Sequence, residues 1–488
     1  MNKENKEKVK MNVCQIKDCG RPTHKESKYC IFHASAVEKT EEEFKEALED
    51  YINRVTRESR VYNFEKFIFI GDLDFSKDFN LNKIHKCNFK GTEFYNGKVR
   101  FDTIEFSRET KFIDCKFVSK VSFIGSEFRD NLYIGNVHFF DQVNFNKTRF
   151  HSIEIKGTTF EGGMNSFNEA YFGGDLLIES CRFMHDIDFS HAEFHGNVKM
   201  GGKEFNNSIF NFEGADINYN FEIFFNSMKK IQIKFNNITT YPTFTKIIIA
   251  ATNAGIYFNN ANLEKTELCF ELHNSTFIDF QKTRMKDTYL RYDQIKHFIV
   301  QENRKDYEQA REVYLTLKNN FHSIGRYNDE SSTYKMEMDM ERFAYFKNSR
   351  YLKWTISGFL NFLYGYGEEP LKVLRFAIIV ILFFSFLYFN YGISLFIPEI
   401  RNVKYDFFQN VWLGIKNTKL LISIIINFPW GDYLNSLYFS LTTFATLAFG
   451  NIGPITIVSK IIAGIESFIG PFTIALFVYT FARKTGGR

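Results

Sequence analysis

Residues 106–150 read FSRETKFIDCKFVSKVSFIGSEFRDNLYIGNVHFFDQVNFNKTRF and place a phenylalanine at every eleventh position. The interval continues along the chain with one slip, and its members are Phe106, Phe117, Phe128, Phe139, Phe150, Phe160, Phe172, Phe183, Phe194 and Phe205. A second large apolar residue lies five positions before each of them, and a small residue usually lies two positions before. The chain has 59 phenylalanines in 488 residues, which indicates one residue type at many equivalent positions.

Spacings that alternate between five and six residues fit neither an amphipathic helix nor a strand with alternating faces. They predict a solenoid that turns a corner about every five residues and stacks its coils roughly 4.8 Å apart. The large and the small residue both point inward, so residues 84–285 make about nine coils of about 22 residues each. Cys87, Cys115 and Cys181 occupy small inward positions, and we expect core residues there, not reactive thiols.

The clearest copies of the repeat are Ala215-Asp216-Ile217 and Ala261-Asn262-Leu263. They are similar to the motif of the pentapeptide-repeat family, and the resemblance implies a right-handed quadrilateral β-helix over residues 61–285. The pattern weakens between residues 220 and 255, where we expect ordinary strands or an irregular coil. The sequence has no nucleophile–base pairing and no phosphate loop, so we predict that the protein is not an enzyme.

The N-terminal segment carries a C-x4-C-x10-C-x2-H pattern formed by Cys14, Cys19, Cys30 and His33. Short loops with paired cysteine and histidine residues supply the four tetrahedral ligands of a structural zinc ion. The pattern resembles small zinc-binding modules, and we predict one zinc per chain within residues 1–36. His24 is an alternative ligand, and a set of unrelated free thiols is the competing interpretation. Residues 37–60, rich in Glu and Lys, predict a solvated linker helix.

Residues 286–350 predict a helical hairpin between the solenoid and the C-terminal region. One face of the first helix carries Ala310, Val313, Leu317, Phe321 and Ile324. Their steps of three or four residues are typical of an amphipathic helix, and Gly325 follows as a C-cap. A second helix from residue 328 places Tyr334 and Met338 on its inner face.

The C-terminal region, residues 351–488, contains two apolar segments long enough to span a bilayer, at about 373–397 and 455–482. Residues 432–451 lie between them and begin with a helical pattern that is too short to cross. Non-helical backbone at membrane depth is tolerated only where it lines a water-filled path or is buried in protein. A short helix followed by such a strip is the layout of a cation selectivity filter.

Residues 431–484 resemble the pore of the two-transmembrane potassium-channel family. The matching pore-helix motifs are Tyr438-Phe439-Ser440 and Thr442-Thr443, and Gly470 lies at the family's gating hinge. The residues that align with the family's T-V-G-[YF]-G-D are Thr446, Leu447, Ala448, Phe449, Gly450 and Asn451. The resemblance implies that the first five form a selectivity filter for K⁺ or Na⁺ and that four chains surround one pore.

Two departures from that motif bear on ion selectivity. Ala448 replaces a glycine and Asn451 replaces an acid, so we expect weaker discrimination between potassium and sodium than is usual in the family. Glu466 has two interpretations, because an acid inside a membrane segment is a functional candidate by default. Its position beside the pore helix favours a hydrogen-bonded structural anchor.

Composition and charge bear on location and partners. A net charge of +4 in a chain of this size gives little support for nucleic-acid binding. The opening MNKENKEKVK predicts no signal peptide, and seven cysteines without one fit a reducing compartment. We therefore expect a protein of the cell (inner) membrane, embedded in the lipid bilayer, with both termini cytoplasmic.

Two functions compete on this sequence. The leading hypothesis is a homotetrameric gated cation channel whose cytoplasmic repeat domain senses an unidentified ligand or protein partner, or assists assembly. The alternative is a membrane-tethered pentapeptide-repeat scaffold that conducts nothing. No regularly spaced arginine run and no nucleotide fingerprint indicates the gating stimulus.

Overall fold

A parallel β-solenoid forms most of the first part of the chain. The computed structural model describes residues 13–241, 245–396, 400–403, 429–447 and 452–485. They divide into two compact units, Met1–Glu337 and Met338–Arg488, and the solenoid lies in the first. Its coils contribute strands to four faces, and the strands of each face pair in parallel with the equivalent strands of the next coil.

The first face has ten strands in the described chain, so the solenoid makes about ten coils and begins one coil before residue 84. These strands are Val61–Asn63, Lys86–Asn88, Thr110–Ile113, Leu132–Gly135, Ile153–Lys156, Leu176–Phe183, Val198–Phe205, Phe221–Phe225, Lys246–Thr252 and Glu267–His273. Leu176–Phe183 and Val198–Phe205 continue around a corner into the second face. The other strands of the second face are Ile68–Ile70, Glu93–Tyr95, Lys116–Phe117, His138–Phe139 and Thr159–Phe160.

The third and fourth faces are separate sheets. The third consists of Leu73–Asp74, Val99–Arg100, Val121–Ser122, Val143–Asn144, Asn165–Ser166, Ile187–Asp188, Ile209–Asn211, Ile231–Lys234, Ala254–Tyr257 and Phe277–Asp279. The fourth consists of Lys83–Ile84, Glu105–Phe106, Glu127–Phe128, Arg149–Phe150, Tyr171–Phe172, Glu193–Phe194, Asp216–Ile217 and Thr239–Thr240. The parallel solenoid predicted from the eleven-residue spacing is thereby confirmed.

Stacked phenylalanines fill the centre of the coils. All ten members of the eleven-residue series are buried, with at most 3% of their surface exposed. A further column stacks Phe75, Phe101, Phe123, Phe145, Phe167, Phe189, Phe212, Phe235, Phe258 and Phe280, one ring per coil. Neighbouring ring centroids in this ten-ring column are 4.3 to 5.5 Å apart. The inward position of both large residues in each unit is confirmed.

The small inward residues bond to the backbone of the preceding coil. Thr148 Oγ1 donates to the Phe123 carbonyl at 2.7 Å, and Cys115 Sγ donates to the Phe89 carbonyl at 2.7 Å. Burial raises the pKa of the three inward thiols to about 12, namely those of Cys87, Cys115 and Cys181. These thiols stay protonated at neutral pH, as expected of core residues.

The solenoid continues through residues 220–255, where the sequence pattern weakens. Ile223 pairs with Ile249, which lengthens this coil without breaking the parallel register. Residues 242–244 within the coil lie outside the described residues. The expectation of ordinary strands is confirmed for the described residues, because the segments on both sides of this gap are strands that pair in parallel with neighbouring coils.

The helix α1 (Glu41–Glu58) covers the first coil and is not the solvated linker that its charge suggested. Thr40 caps its N-terminus, and its buried face carries Phe44, Leu48, Tyr51, Ile52 and Val55. Phe44 lies edge-on to Phe69 of the solenoid at a centroid distance of 5.6 Å. Every third or fourth residue of α1 is apolar, and this face outweighs the charged composition.

The connector contains a short 3-10 helix, Tyr292–Gln294, and the helices α2 (Val300–Asn303), α3 (Tyr307–Ser323) and α4 (Tyr327–Lys347). Four of the five predicted inner residues of α3 are buried, namely Ala310, Val313, Leu317 and Phe321, whereas Ile324 is partly exposed. Gly325 follows α3 with φ +71°, as a C-cap requires. The position and the buried face predicted for the first helix of the hairpin agree with α3.

The inner face of α4 differs from the prediction. Tyr334 and Met338 are only partly buried, whereas the acids Glu330 and Glu337 are buried. Glu337 forms an ion pair with Lys318 of α3 at 2.7 Å. Apolar spacing alone could not find this face, because its buried side chains are charged and paired.

The second unit contains four further helices. They are α5 (Tyr351–Tyr364), α6 (Pro370–Tyr391), α7 (Trp430–Phe444) and α8 (Ile457–Thr485), with a 3-10 turn at Gly365–Gly367. Only α6 and α8, among the described helices, are long and apolar enough to cross a membrane. Helix α6 begins at Pro370, three residues before the predicted span of about 373–397. It ends earlier than predicted because Gly392 follows it with φ +94° and the chain then enters a strand.

The ten-ring column gives a direct test of the solenoid core. Phe167→Ala should lower the free energy of unfolding by about 3–5 kcal/mol, because it leaves a cavity in a close-packed interior. Phe140 is 42% exposed, and Phe140→Ala should change it by less than about 0.5 kcal/mol. Pulse proteolysis of the full chain across a urea gradient measures both. Equal midpoints for the two variants would contradict the stacked core.

Candidate functional site

Helix α7 packs against both α6 and α8. Its fifteen residues span about 22 Å, which is too short to cross a bilayer core of about 30 Å. A buried apolar cluster joins α6, the strand that follows it and α7, and consists of Val380, Phe384, Tyr388, Ile393, Phe439 and Phe444. Three partly buried residues of α8 pack against this cluster, namely Ile462, Ala463 and Ile469. At its centre the rings of Tyr388 and Phe439 meet edge to face at a centroid distance of 4.8 Å. The short helix is therefore held between the two candidate spans.

A fully buried carboxylate joins the same three helices. Glu466 of α8 accepts a hydrogen bond from Tyr388 Oη of α6 at 2.6 Å. Its other oxygen lies 2.5 Å from Ser440 Oγ of α7, which is also 2.9 Å from the Ile381 carbonyl. A buried acid without such partners would be strongly destabilising. These contacts support the interpretation of Glu466 as an anchor for α7, which stays a prediction.

The first two residues of the predicted filter lie at the C-terminal end of α7. The Leu447 amide donates to the Thr442 carbonyl at 2.8 Å, and Thr446 has a left-handed backbone with φ +53°. The helix therefore ends at a fixed turn immediately before the strip. The other predicted filter residues, Ala448, Phe449 and Gly450, lie outside the described residues, as does Asn451.

A small antiparallel sheet holds the chain just after the predicted filter residues. The strand Ile452–Pro454 pairs with Ile393–Phe396, which also pairs with Ile400–Val403. Thr456 Oγ1 adds a bond of 3.2 Å to the Tyr391 carbonyl at the end of α6. Both ends of the four-residue stretch 448–451 are thus fixed. The sequence reasoning missed this sheet, although Gly392 followed by an isoleucine at 393 was a usable signal for the end of α6.

Gly470 lies where α8 approaches the end of α7. A Cβ atom at this position would clash with the Phe444 carbonyl oxygen, two residues before Thr446. Helix α8 continues unbroken through Gly470 and Pro471. The sequence suggested only a hinge, and the structure adds a close backbone contact that requires a glycine.

The predicted metal ligands come together at the N-terminus. The ligand atoms of Cys14, Cys19, Cys30 and His33 all lie within 4.8 Å of one another. His33 Nδ1 is 3.4 Å from the sulfur of Cys14 and 3.3 Å from that of Cys30, and the sulfurs of Cys19 and Cys30 are 3.7 Å apart. These separations are close to the edges of about 3.6–3.8 Å in a tetrahedral zinc site with sulfur and nitrogen ligands. The four residues can therefore hold a metal ion.

The surroundings of this cluster suit metal binding. His33 Nε2 lies 3.0 Å from the Glu65 carbonyl, which sets the tautomer that leaves Nδ1 free to bind a metal. Burial raises the pKa of the Cys30 thiol to about 12, and a bound cation would offset this rise by stabilising the thiolate. His24, the alternative ligand, is not part of the cluster. Its Nε2 lies 3.7 Å from Glu43 Oε2.

Comparison with known proteins identifies the C-terminal region. A family model described as an ion channel matches residues 411–485, which include α7, the predicted filter and α8. Comparison with curated proteins and with solved structures gives no match. The chain therefore carries an ion channel domain in its membrane region, joined to a parallel β-solenoid. The match supports a role in ion transport.

Two glycines of α8 give a matched test of the contact with α7. Gly470→Ala should lower the thermal midpoint of the detergent-purified protein, because the new methyl group displaces the Phe444 backbone. Gly464 has open space around its Cβ position, and Gly464→Ala should leave stability unchanged or raise it by up to about 1 kcal/mol. Shifts of the same sign and size in both variants would rule out a specific role for the Gly470 contact.

Proposed function

We propose that the chain forms a homotetrameric gated cation channel, with an N-terminal unit that assists assembly or senses a cytoplasmic ligand. The observation that carries this proposal is helix α7, which is too short to span and is held between α6 and α8. It ends at Phe444, two residues before Thr446, which is the first residue of the filter-like sequence TLAFG. A selectivity filter needs several such strips around one axis, which supports a tetramer by analogy with the family.

Ion selectivity in this proposal depends on Ala448. Alternate residues of a potassium filter take left-handed backbone angles, so that successive carbonyls face the axis. A residue other than glycine in that conformation costs about 1–2 kcal/mol, or about 4–8 kcal/mol over four subunits. The strip then relaxes and offers fewer carbonyl ligands to a dehydrated ion. The channel passes K⁺ and Na⁺ with weaker discrimination than the family norm.

Gating in this proposal uses α8. Pro471 lacks an N–H for the helical bond to the carbonyl of residue 467, and Gly470 lowers the cost of bending there. The proposed hinge is supported by the close contact between Gly470 and Phe444, which lies at the end of α7. A bend of α8 would therefore act directly on the start of the filter.

The zinc module and the membrane orientation complete the proposal. Cys14, Cys19, Cys30 and His33 leave no open coordination position, which favours a structural zinc.

The basic residues that flank the two spans are Lys372, Arg375, Arg483, Lys484 and Arg488. Basic residues near helix ends favour the cytoplasmic side, so both termini are placed in the cytoplasm of a cell (inner) membrane protein. The loop of residues 399–432 then faces outward.

The reversal potential across a bilayer tests the channel and its filter together. With potassium on one side and sodium on the other, the wild type should reverse between zero and the potassium equilibrium potential. Ala448→Gly should move the reversal toward potassium, because glycine adopts the left-handed angles without strain.

Three results would overturn parts of this picture. A wild type already at the potassium potential, with no change in Ala448→Gly, contradicts the strain argument. A reversal set by chloride contradicts the filter assignment. Absence of any current in the wild type favours the non-conducting scaffold.

Metal content tests the zinc site. The purified chain should carry about one zinc, and Cys14→Ser combined with Cys30→Ser should remove it, because two of four ligands are lost. Cys269 lies outside the cluster, and Cys269→Ser should retain the metal. Elemental analysis of the three proteins decides the point, and a metal-free wild type after gentle purification would end the claim.

A further inference from the structure

The turn between α5 and α6 is held in an unusual backbone conformation. Gly365, Tyr366 and Gly367 follow one another with φ values of +57°, +57° and +91°. Left-handed angles are uncommon for residues other than glycine, and Tyr366 is also almost fully buried. Such a conformation persists only where surrounding contacts hold it. We refer to residues 365–369 as the elbow.

On one side the elbow is bonded to α4 and α5. Tyr366 Oη lies 3.2 Å from Asp339 Oδ1 of α4 and 3.2 Å from Ser357 Oγ of α5. The same Asp339 oxygen accepts a bond from Asn361 of α5 at 3.2 Å and pairs with Arg342 at 3.0 Å. One carboxylate therefore joins the connector helix α4, helix α5 and the elbow.

On its other side the elbow is joined to the last turn of α8. Glu368 is 2% exposed, and its Oε1 lies 2.7 Å from Arg483 Nη2. The guanidinium is close enough that a Cβ at Gly367 would lie 3.1 Å from Nη1. Separating Glu368 from Arg483 would leave the buried carboxylate without its compensating charge, which is strongly destabilising. The ion pair therefore holds the end of α8 against the elbow.

We propose that Glu368 and Arg483 are a positioning pair that couples the connector to the gate. The inference rests on the proposed channel function. A displacement of α4 acts on Asp339, passes through Tyr366 to the elbow and reaches the C-terminal end of α8 through the ion pair. The pair stabilises one gating state, and its loss shifts the population toward the other state.

A double-mutant cycle on the full chain in liposomes tests the coupling. Glu368→Gln and Arg483→Gln should each shift the open probability about tenfold in the same direction. The double variant should shift it no further than either single variant, because both substitutions remove the same interaction. Lys484→Gln, a neighbouring cation that forms none of these contacts, should match the wild type.

A second readout does not depend on conduction. Thr480 is fully buried on α8, one turn before Arg483, and a cysteine placed there should react with a thiol reagent only when the end of α8 moves away. Adding Glu368→Gln or Arg483→Gln to Thr480→Cys should speed labelling at position 480 several-fold, and Lys484→Gln should not. Peptide mass analysis locates the label.

The outcomes separate this inference from the channel proposal. Unchanged open probability and labelling in both single variants, or additive effects in the double variant, would overturn the pair. If the wild type carries no current, the channel proposal fails and the labelling alone decides the pair. Arg483→Gln alters a partly exposed side chain, so it remains informative if Glu368→Gln fails to fold.

Discussion

The solenoid depends on a match between two lengths. Hydrogen-bonded strands lie roughly 4.7–4.9 Å apart, and aromatic rings pack favourably at centroid separations of about 4.5–7 Å in offset or edge-to-face pairs. The ten-ring column has separations of 4.3 to 5.5 Å, so its stacking requires little departure from the strand spacing. The same side chain can therefore occupy the same place in every coil. This match explains why one residue type dominates the composition.

The membrane unit is organised by a different interaction. Glu466 is fully buried, and its partners Tyr388 and Ser440 come from two other helices. Apolar packing between helices in a membrane is weakly directional, whereas a buried carboxylate requires donors at defined positions. The depth and rotation of α7 are therefore set by polar contacts inside an apolar cluster. The sheet at Ile452–Pro454 then fixes the chain beyond the predicted filter.

Prediction from sequence succeeded wherever one residue type repeats at a fixed interval. The Phe106 series, the inward Cys115 and the meeting of Cys14, Cys19, Cys30 and His33 each follow from spacing, because spacing determines which side chains share a face or a centre. The shape of the strip at Ala448 lies outside the described residues, so its expected relaxation remains a prediction.

Prediction failed where non-local contacts decide the structure. The buried acids of α4 are stabilised by partners on α3, which local hydropathy does not reveal. The contact of Gly470 with Phe444 and the left-handed Tyr366 require two segments to be placed together first. A glycine or a turn residue in a sequence does not show which other segment of the chain will pack against it.

The N-terminal segment that carries the Cys–His cluster also covers the first coil. The Ile68 amide donates to the Phe32 carbonyl at 2.8 Å, Lys39 Nζ donates to the Ile68 carbonyl at 2.5 Å, and the ring of Phe32 stacks on Phe67 at 4.6 Å. A strand edge without such cover can pair with the edge of another chain. The N-terminal segment therefore also protects the solenoid, because it occupies backbone groups of the first coil with which another copy of the chain could otherwise pair.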